Sequence, residues 1–261
     1  MNFQEILTAL ACVFIYMNSL FILAVLLKNN SIVDIGWGIG FILISFSTLY
    51  NKLAISNLSI VLLTMVILWG LRLAIYIFIR NFGKGEDYRY LQWRKEWGKT
   101  VLIRSYFQVF MLQGSIMVVI SSPILLFSIQ PTELIIDSFN WVQYVGLILW
   151  AFGLSFETIA DFQLYQYKSL AINKGKIMKT GLWSLSRHPN YFGEALVWWG
   201  IFIFVSNIGW TWISILSPLV MTYLLRRVSG VDLLEKKYRD NLEYQEYVRK
   251  TPAFIPYFKL W

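Results

Sequence analysis

The sequence predicts an all-α, polytopic integral membrane protein with about seven transmembrane helices. Of its 261 residues, 57% are hydrophobic, which is more than a soluble domain carries. Apolar stretches of about 20 residues, long enough to cross the hydrocarbon core as helices, recur along the chain. They predict one membrane-embedded domain over residues 1–261, with spans at roughly residues 5–27, 33–50, 58–79, 105–129, 141–160, 191–206 and 210–226.

The distribution of Lys and Arg predicts the orientation of these spans. Basic residues collect in cytoplasmic loops, and most of the 23 in this chain lie within residues 80–104, 161–190 and 226–261. Seven spans place those three segments on one side of the membrane. We therefore expect an extracytoplasmic N-terminus and a cytoplasmic C-terminus. For a bacterial protein the expected location is the inner membrane, with the cofactor site on its cytoplasmic side.

The net charge of +8 does not indicate a nucleic-acid partner. The basic residues stand beside the ends of the spans and are mixed with acidic ones, which suits lipid headgroups and an anionic cofactor. The first span lacks a preceding basic region and a small-residue cleavage site, so we expect it to be retained. Cys12 is the only cysteine of the sequence. It excludes an internal disulfide and offers no thiolate metal site, and no metal is predicted.

The second predicted span begins with a glycine-rich stretch around Asp34. Its glycines do not follow the spacing of a dinucleotide-binding loop and no strand precedes them, so a Rossmann fold is not expected. Glycine here favours close helix packing, which would turn Asp34 and Trp37 toward the interior of the bundle. Asp34 as a helix N-cap is an equally good interpretation.

Three polar residues of the third predicted span, Arg72, Tyr76 and Arg80, recur every four positions and therefore share one face of a helix. Arg80 can extend its side chain to the membrane surface, whereas Arg72 lies about 12 Å deeper. A lipid-facing guanidinium at that depth would cost at least roughly 3 kcal/mol. We expect Arg72 to meet a carboxylate, a phosphate or the polar interior, in a structural ion pair or a ligand site.

The fifth predicted span carries two acidic residues, Glu157 and Asp161, which also lie four positions apart, and Lys168 follows beyond its end. Paired carboxylates can hold ribose hydroxyls or a nicotinamide amide, or they can neutralise Arg72 and Arg187. For Glu157 a structural ion pair and a cofactor contact are equal alternatives.

The densest polar segment of the sequence runs from Ser186 to Glu194 and contains His188, the chain's only histidine. A proline directly after His188 suits the first turn of a helix. Backbone N–H groups beside Arg187 and His188 would then be free at a helix N-terminus, where phosphate groups bind. We therefore predict an anionic cofactor here, with His188 contacting its phosphate or positioning Arg187. A simply solvated histidine is the alternative.

Three further polar residues, Asn190, Tyr191 and Glu194, are expected in the first turn of the sixth span. Asn190 and Glu194 share a face, and Glu194 would also complement the helix dipole. Capping a helix needs one such residue, so we interpret the group as a binding site.

The last segment, residues 228–261, mixes charged and apolar side chains and predicts an amphipathic helix at the membrane interface. Two roles are open: a lid over the inner ends of the spans, or a helix resting on the membrane. The apolar residues of this predicted helix are Leu233, Leu234, Tyr238, Leu242, Tyr244 and Tyr247.

Six sequence blocks occur in order from near the N-terminus to the end of the chain. They are Asp34–Gly38, Trp69–Arg72, Gly83–Tyr90, Phe156–Gln163, Gly181–Glu194 and Thr251–Pro256. Through these blocks the chain resembles the steroid 5α-reductase-like membrane proteins, in particular the bacterial branch known as the domain of unknown function DUF1295. The block with Arg187 and His188 also resembles the cofactor segment of sterol C=C reductases and of isoprenylcysteine carboxyl methyltransferases.

The resemblance implies NADPH-dependent reduction of a conjugated C=C bond in a steroid- or isoprenoid-like lipid taken from the bilayer. In steroid 5α-reductases a Tyr and a Glu of the early spans serve the substrate carbonyl. Tyr76 is similar to that Tyr, and Asp34 approximates that Glu, so these two are the predicted catalytic residues. The resemblance also implies that NADPH contacts Arg72, Arg80, Arg89, Asp161, Lys168, Arg187, His188, Asn190, Tyr191 and Glu194.

Two other functions are compatible with the sequence. A membrane methyltransferase of the isoprenylcysteine carboxyl type would use S-adenosylmethionine, a methyl donor with less need for so many basic residues. A non-enzymatic lipid-binding protein or transporter would be equally hydrophobic, but it would not explain why the polar residues collect on one side. The sequence does not predict an oligomeric state.

Overall fold

The computed structural model describes residues 4–50, 56–135, 139–228, 230–238 and 240–257, and the regular elements within those ranges are all helical. The prediction of an all-α chain is confirmed for them. The α-helices are α1 (Gln4–Leu27), α2 (Ile32–Leu49), α3 (Asn57–Asn81), α4 (Tyr88–Trp97), α5 (Val101–Arg104), α6 (Leu112–Ile120), α7 (Ser122–Ser128), α8 (Trp141–Ser169), α9 (Pro189–Val205), α10 (Leu216–Tyr223), α11 (Val231–Lys237) and α12 (Leu242–Lys250).

Five helical stretches in these ranges are long and apolar enough to cross a membrane, which makes the chain an integral membrane protein. They are α1, α2, α3, the stretch Tyr88–Ile120 that contains α4 to α6, and α8. The helices α1 to α3 agree with the predicted spans, and α8 begins where predicted but continues to Ser169. The last two predicted spans overlap α9, which has 17 residues, and α10, which has 8, and both helices are shorter than the five stretches named above. The count of seven and the orientation stay predictions.

The fourth span differs from the expected residues 105–129. Its helical stretch runs from Tyr88 to Ile120 and includes a π-helical segment, Ser105–Met111. The Asp87 side chain caps α4 by accepting a hydrogen bond from Arg89 N–H at 3.0 Å. Because the first turns after this cap are rich in charged residues, hydropathy alone does not reveal that the helix starts there.

The C-terminal segment does not form the single amphipathic helix that the sequence predicts. It contains two short helices, α11 and α12, and the Asn241 side chain caps α12 by accepting from Tyr244 N–H at 3.0 Å. Tyr244 and Tyr247 are buried, because α12 packs its aromatic face against the protein. The side chains of Leu233 and Leu234 lie outside the described part of the chain.

The chain divides into two compact units. The first comprises Met1–Asn140 and Val205–Leu216, and the second comprises Trp141–Phe204 and Ser217–Trp261. The two units are described separately below, since each has its own packing and its own group of polar side chains.

In the first unit, α2 packs against α3 at a contact between two glycines. A Cβ atom on Gly38 would lie 2.2 Å from the carbonyl oxygen of Gly70, so no side chain fits at this crossing. Phe41 and Trp69, both fully buried, pack edge to face beside it with ring centroids 5.3 Å apart. The prediction that the glycines of α2 permit close helix packing is confirmed.

In the second unit, α8 and α9 run antiparallel and their backbones touch at two points. A Cβ atom on Gly153 would lie 2.7 Å from the carbonyl oxygen of Gly193, and one on Gly200 would lie 2.8 Å from that of Gly146. The two glycines of each helix are about two turns apart and so lie on one face. This contact brings the start of α9 beside the polar second half of α8.

Candidate functional site

Three side chains from α2 and α4, two half-buried and one buried, form a polar group in the first unit. Arg89 Nη2 lies 2.8 Å from Asp34 Oδ2, and the Tyr90 hydroxyl donates to Asp34 Oδ1 at 2.7 Å. Tyr90 is only 3% exposed, so bulk water does not compete for its hydrogen bond to the carboxylate. We call Asp34, Arg89 and Tyr90 the Asp34 cluster.

The segment before α4 is hydrogen-bonded to the start of α2, which brings Arg89 and Tyr90 to Asp34. Ser31 is the N-cap residue of α2, and its hydroxyl accepts a hydrogen bond from Asp87 N–H at 2.7 Å. Asn30 N–H donates to Glu86 Oε1, also at 2.7 Å. Asp34 therefore lies inside the first turn of α2 with its carboxylate turned to the protein, and its interpretation as the N-cap is wrong.

Arg89 contacts a second carboxylate, because its Nε lies 2.9 Å from Asp87 Oδ1. Burial acts to raise the pKa of Asp87, but the hydrogen bonds from Arg89 outweigh burial and the net shift of this pKa is downward. The positive charge of Arg89 is thus shared between two acidic side chains.

The third helix presents the predicted row of polar residues. The guanidinium carbons of Arg72 and Arg80 lie 5.5 and 5.6 Å from the centre of the Tyr76 ring. This geometry confirms that the three residues share one face of α3, and it adds a cation–π contact from each arginine to the ring. The catalytic role predicted for Tyr76 stays a prediction, whereas the hydroxyl that donates to Asp34 is that of Tyr90.

The second unit contains a different charged group, formed by Arg187, His188 and Glu235, which we call the Arg187 cluster. Arg187 Nη2 lies 2.7 Å from Glu235 Oε1, and His188 Nε2 lies 3.3 Å from the same oxygen. Arg187 Nη1 donates to the carbonyl oxygens of Val248 and Thr251. Arg187 is 8% exposed, so its buried guanidinium connects the residues before α9 with the C-terminal helices.

The backbone N–H groups at this position are not free, contrary to the sequence-based expectation. Arg187 N–H donates to the carbonyl oxygen of Pro252 at 2.9 Å, and His188 N–H donates to Ser186 Oγ at 3.2 Å. The reason is the path of the C-terminal segment, which returns to this loop, as the hydrogen bond from Tyr257 N–H to the Leu185 carbonyl at 2.9 Å also shows. A phosphate would have to displace these partners.

Electrostatics in the Arg187 cluster favour ionised Glu235 and a neutral tyrosine beside it. Burial acts to raise the pKa of Glu235, but hydrogen bonds from His188 and Arg187 outweigh burial and lower this pKa below its ordinary value of 4.5. Burial, followed by the negative charge of Glu235, raises the pKa of Tyr244 to about 12.

The helix α9 begins at Pro189, as predicted, and its first turn carries an amide next to a carboxylate of α8. Asn190 Nδ2 donates to Asp161 Oδ1 at 3.0 Å. Asp161 is 4% exposed. The other amide atom, Asn190 Oδ1, is buried and has no hydrogen-bond partner among the atoms that the structure describes, which leaves a buried acceptor beside a buried carboxylate.

Three further residues predicted to contact the cofactor lie near Asn190 or Asp161 in the sequence, and they differ in burial and in their neighbours. The Tyr191 ring stacks on the His188 ring with centroids 5.6 Å apart. Glu194 is buried and lies in the second turn of α9 rather than the first, since the helix starts at Pro189. Lys168 is exposed in the last turn of α8.

The predicted site residues therefore divide between the two units. The first unit holds Asp34, Arg72, Tyr76, Arg80 and Arg89, and the second holds Asp161, Lys168, Arg187, His188, Asn190, Tyr191 and Glu194. Sequence reasoning missed Tyr90 and Glu235, which complete the two clusters. Tyr90 ends the block Gly83–Tyr90 and could have been found there, whereas no pattern in the sequence marks Glu235 as the partner of Arg187.

Within the described ranges, no group of three or more His, Cys, Asp and Glu side chains is arranged to hold a metal ion. The polar clusters consist of ion pairs, amides and phenols, so the chemistry that they offer is hydrogen bonding and proton transfer.

Comparison with known proteins places the chain in a family. It is 27% identical over 229 residues to the uncharacterized protein C594.04c of Schizosaccharomyces pombe, and this alignment covers 78% of the chain. The chain spans 65% of that relative's length. No solved structure matches the chain. Residues 20–251 match the family described as "Protein of unknown function (DUF1295)", and the chain belongs to this family.

Proposed function

We propose that this protein is an NADPH-dependent oxidoreductase that reduces a conjugated C=C bond of a membrane lipid at the inner face of the membrane. The observation that carries the proposal is the hydrogen bond from the buried Tyr90 hydroxyl to the half-buried Asp34 carboxylate, at 2.7 Å, beside the Arg89–Asp34 ion pair. The resemblance to steroid 5α-reductase-like proteins supports the same chemistry.

The proposed reaction needs a hydride at the β carbon, a hydrogen-bond donor at the carbonyl oxygen, and a proton that ends on the α carbon. NADPH, when bound, supplies the hydride. The Tyr90 hydroxyl turns from Asp34 to the substrate carbonyl oxygen and gives it a proton as the β carbon accepts the hydride, so the enol forms and no full negative charge stays on the oxygen. Tyr90 then takes the enol proton back while a proton from solvent adds to the α carbon, and Arg89 keeps Asp34 in place throughout.

Some predicted cofactor contacts fit a dinucleotide better than others. Asn190 Oδ1 and the Asp161 carboxylate are buried acceptors, and they would hold the amide N–H of a nicotinamide or the hydroxyls of a ribose. Arg187 fits poorly as a phosphate contact, because Glu235 and two carbonyl oxygens already accept its hydrogen bonds. Among the predicted cations of this unit we therefore assign phosphate binding to Lys168, which is exposed in the last turn of α8.

The helical stretch Tyr88–Ile120, which carries Tyr90 near its polar start, is long and apolar enough to span the membrane. Together with the resemblance, this supports as substrate a flat or elongated lipid with one polar carbonyl, such as a steroid or an isoprenoid. Since Tyr90 is buried, the segment before α4 must move to admit it.

Cofactor binding is the first test. The protein in detergent is titrated with NADPH, NADH and S-adenosylmethionine while its thermal unfolding is recorded. The proposal expects stabilisation by NADPH, because a ligand that binds the folded state raises the unfolding midpoint. Stabilisation by S-adenosylmethionine alone would instead identify a methyltransferase. No response to any of the three would favour a non-enzymatic lipid-binding protein.

A matched pair of tyrosine variants tests which phenol acts on the substrate. NADPH oxidation is followed with a 3-oxo-4-ene steroid and with an isoprenoid unsaturated aldehyde as probes. Tyr90→Phe should lower turnover by about 100-fold, the usual contribution of a positioned proton donor, without weakening NADPH binding. Tyr76→Phe keeps the ring that both arginines contact and should retain most activity. The reverse result would return the catalytic role to Tyr76.

A further inference from the structure

A cavity of about 590 Å³ lies on the C-terminal segment of the second unit, among α11, α12 and the residues before them. This volume is in the range of small-molecule sites in proteins, roughly 300–1,000 Å³. Most of its lining residues carry a polar or charged group, and the side chains that decide its character are Arg227, Asp232, Glu235, Lys236, Tyr244 and Arg249.

The charges of this lining favour an anion. Asp232 lies 3.5 Å from Arg227, and Glu235 is held by Arg187 at 2.7 Å, so both carboxylates are already compensated. Lys236 and Arg249 are exposed, and neither forms an ion pair in the part of the chain that the structure describes. Two cationic heads therefore remain available to a ligand.

Tyr244 adds a neutral hydrogen-bonding group to these cations. Its hydroxyl contacts Arg187 and Glu235, and with a pKa raised to about 12 by burial it stays protonated at physiological pH. The buried phenol forms one side of the cavity, so an anion bound there meets no negative oxygen from this residue.

Exposed apolar side chains in the lining of the cavity and on the helical segments that form it indicate where the anion comes from. Val248 belongs to its lining and is exposed, and Val228 is half exposed at the end of the helical stretch that follows α10. Leu242, at the first position of α12, is 80% exposed. Cations next to exposed aliphatic side chains, on a segment that follows an apolar helix, suit the boundary between headgroups and acyl chains.

We propose that this cavity binds the phosphate of an anionic glycerophospholipid headgroup, with Lys236 and Arg249 as its cationic contacts. This assignment does not depend on the proposed reductase activity. It differs from the NADPH contacts named above, none of which lines the cavity. Its function is to seat the C-terminal helices on an anionic membrane surface.

The test uses short-chain lipids and the protein in a neutral detergent. Dioctanoyl phosphatidylglycerol should raise the unfolding midpoint, whereas dioctanoyl phosphatidylcholine and inorganic phosphate should not. The variant Lys236→Gln/Arg249→Gln should bind phosphatidylglycerol at least about tenfold more weakly, since each surface cation near an anionic membrane contributes measurably to lipid binding. The control variant Lys174→Gln/Lys176→Gln removes the same charge from an exposed loop and should bind like the natural chain.

Three results would overturn the proposal. The first is equal binding of phosphatidylglycerol to both double variants and the natural chain. The second is an equal loss in the control, which would indicate general attraction of charge. The third is displacement of the lipid by NADPH together with loss of NADPH binding in Lys236→Gln/Arg249→Gln, which would assign the cavity to the dinucleotide. If phosphatidylglycerol binding fails while NADPH still binds, only the lipid site is lost and the reductase proposal stands.

Discussion

Each of the two polar clusters is built on an ion pair between an arginine and a carboxylate, but the other hydrogen bonds of the arginine differ. In the Asp34 cluster, Arg89 divides its charge between two carboxylates, and a tyrosine hydroxyl donates to one of them. In the Arg187 cluster, the arginine serves one carboxylate and two backbone carbonyl oxygens. In the first arrangement the guanidinium is shared between two side-chain carboxylates, whereas in the second it also holds two backbone carbonyl groups of the C-terminal segment.

This difference shows how one residue type takes two roles. A buried arginine that holds backbone carbonyls fixes the chain, because those carbonyls would otherwise lack partners. A buried phenol on a carboxylate offers a proton to whatever replaces the carboxylate as acceptor. The densest polar motif of the sequence, around Arg187, thus holds backbone segments of the second unit together, whereas the proposed chemistry is assigned to the less conspicuous Asp34 cluster.

Arg187→Ala should give the largest loss of stability. It leaves Glu235 half-buried without its cation and two carbonyl oxygens without a donor, a change that costs about 3 kcal/mol. For a chain of this size that loss corresponds to roughly 6–12 °C in the unfolding midpoint, measured in detergent. The control Arg249→Ala removes an exposed arginine from α12 and should leave the midpoint almost unchanged.

The opposite outcome for Arg187→Ala would remove the distinction between the clusters. An unchanged midpoint with lost NADPH affinity would mean that Arg187 contacts the cofactor phosphate, as the sequence suggests. The Glu235–Arg187 ion pair would then be dispensable for folding.

Asp34→Asn should have a smaller effect on stability, about 1–2 kcal/mol. The asparagine still accepts a hydrogen bond from Tyr90, and Arg89 keeps its contact with Asp87 at 2.9 Å. Asp87→Asn is the matched change, since asparagine also caps a helix and only the charge is lost. The unfolding midpoints of the two variants should be similar, and the double variant should lose more than their sum. Strict additivity would show that Arg89 does not share its charge between them.

Acidification should reveal the smallest effect, through Glu235. Its pKa in the folded protein lies below the ordinary 4.5, so its contribution to stability is complete above about pH 4.5 and is lost as the pH falls through the folded pKa. Glu235→Gln lacks this contribution at every pH. The midpoints of the natural chain and the variant should therefore differ near pH 7 and converge toward pH 3. Parallel curves would show that Glu235 gains nothing from its partners.

Local features of the fold could be predicted well from the sequence. Hydropathy locates α1, α2, α3 and the start of α8, and four-residue spacing places Arg72, Tyr76 and Arg80 on one face. Pro189, whose fixed φ angle suits the first turn of a helix, predicts the start of α9. These are properties of short segments, in which each residue's neighbours are known from the sequence alone.

Partners that are distant in sequence could not be predicted. Tyr90 reaches Asp34 from 56 residues away, and Glu235 reaches Arg187 from 48 residues away. Periodicity indicates the face on which a side chain lies, but it does not identify the helix that packs against that face. The prediction that the backbone N–H groups of Arg187 and His188 are free was wrong for this reason. The C-terminal segment accepts the hydrogen bond of Arg187 N–H, and no local sequence pattern shows that this segment returns to the loop.

The contact between α8 and α9 makes these two helices a rigid pair. Where the backbones meet at Gly153–Gly193 and at Gly146–Gly200, no side chain is present that could change rotamer and let one helix slide along the other. We therefore expect α9 to follow any tilt of α8, which is long and apolar enough to cross the membrane. The Asn190–Asp161 hydrogen bond, between the same two helices, should then keep its length when the membrane thickness changes.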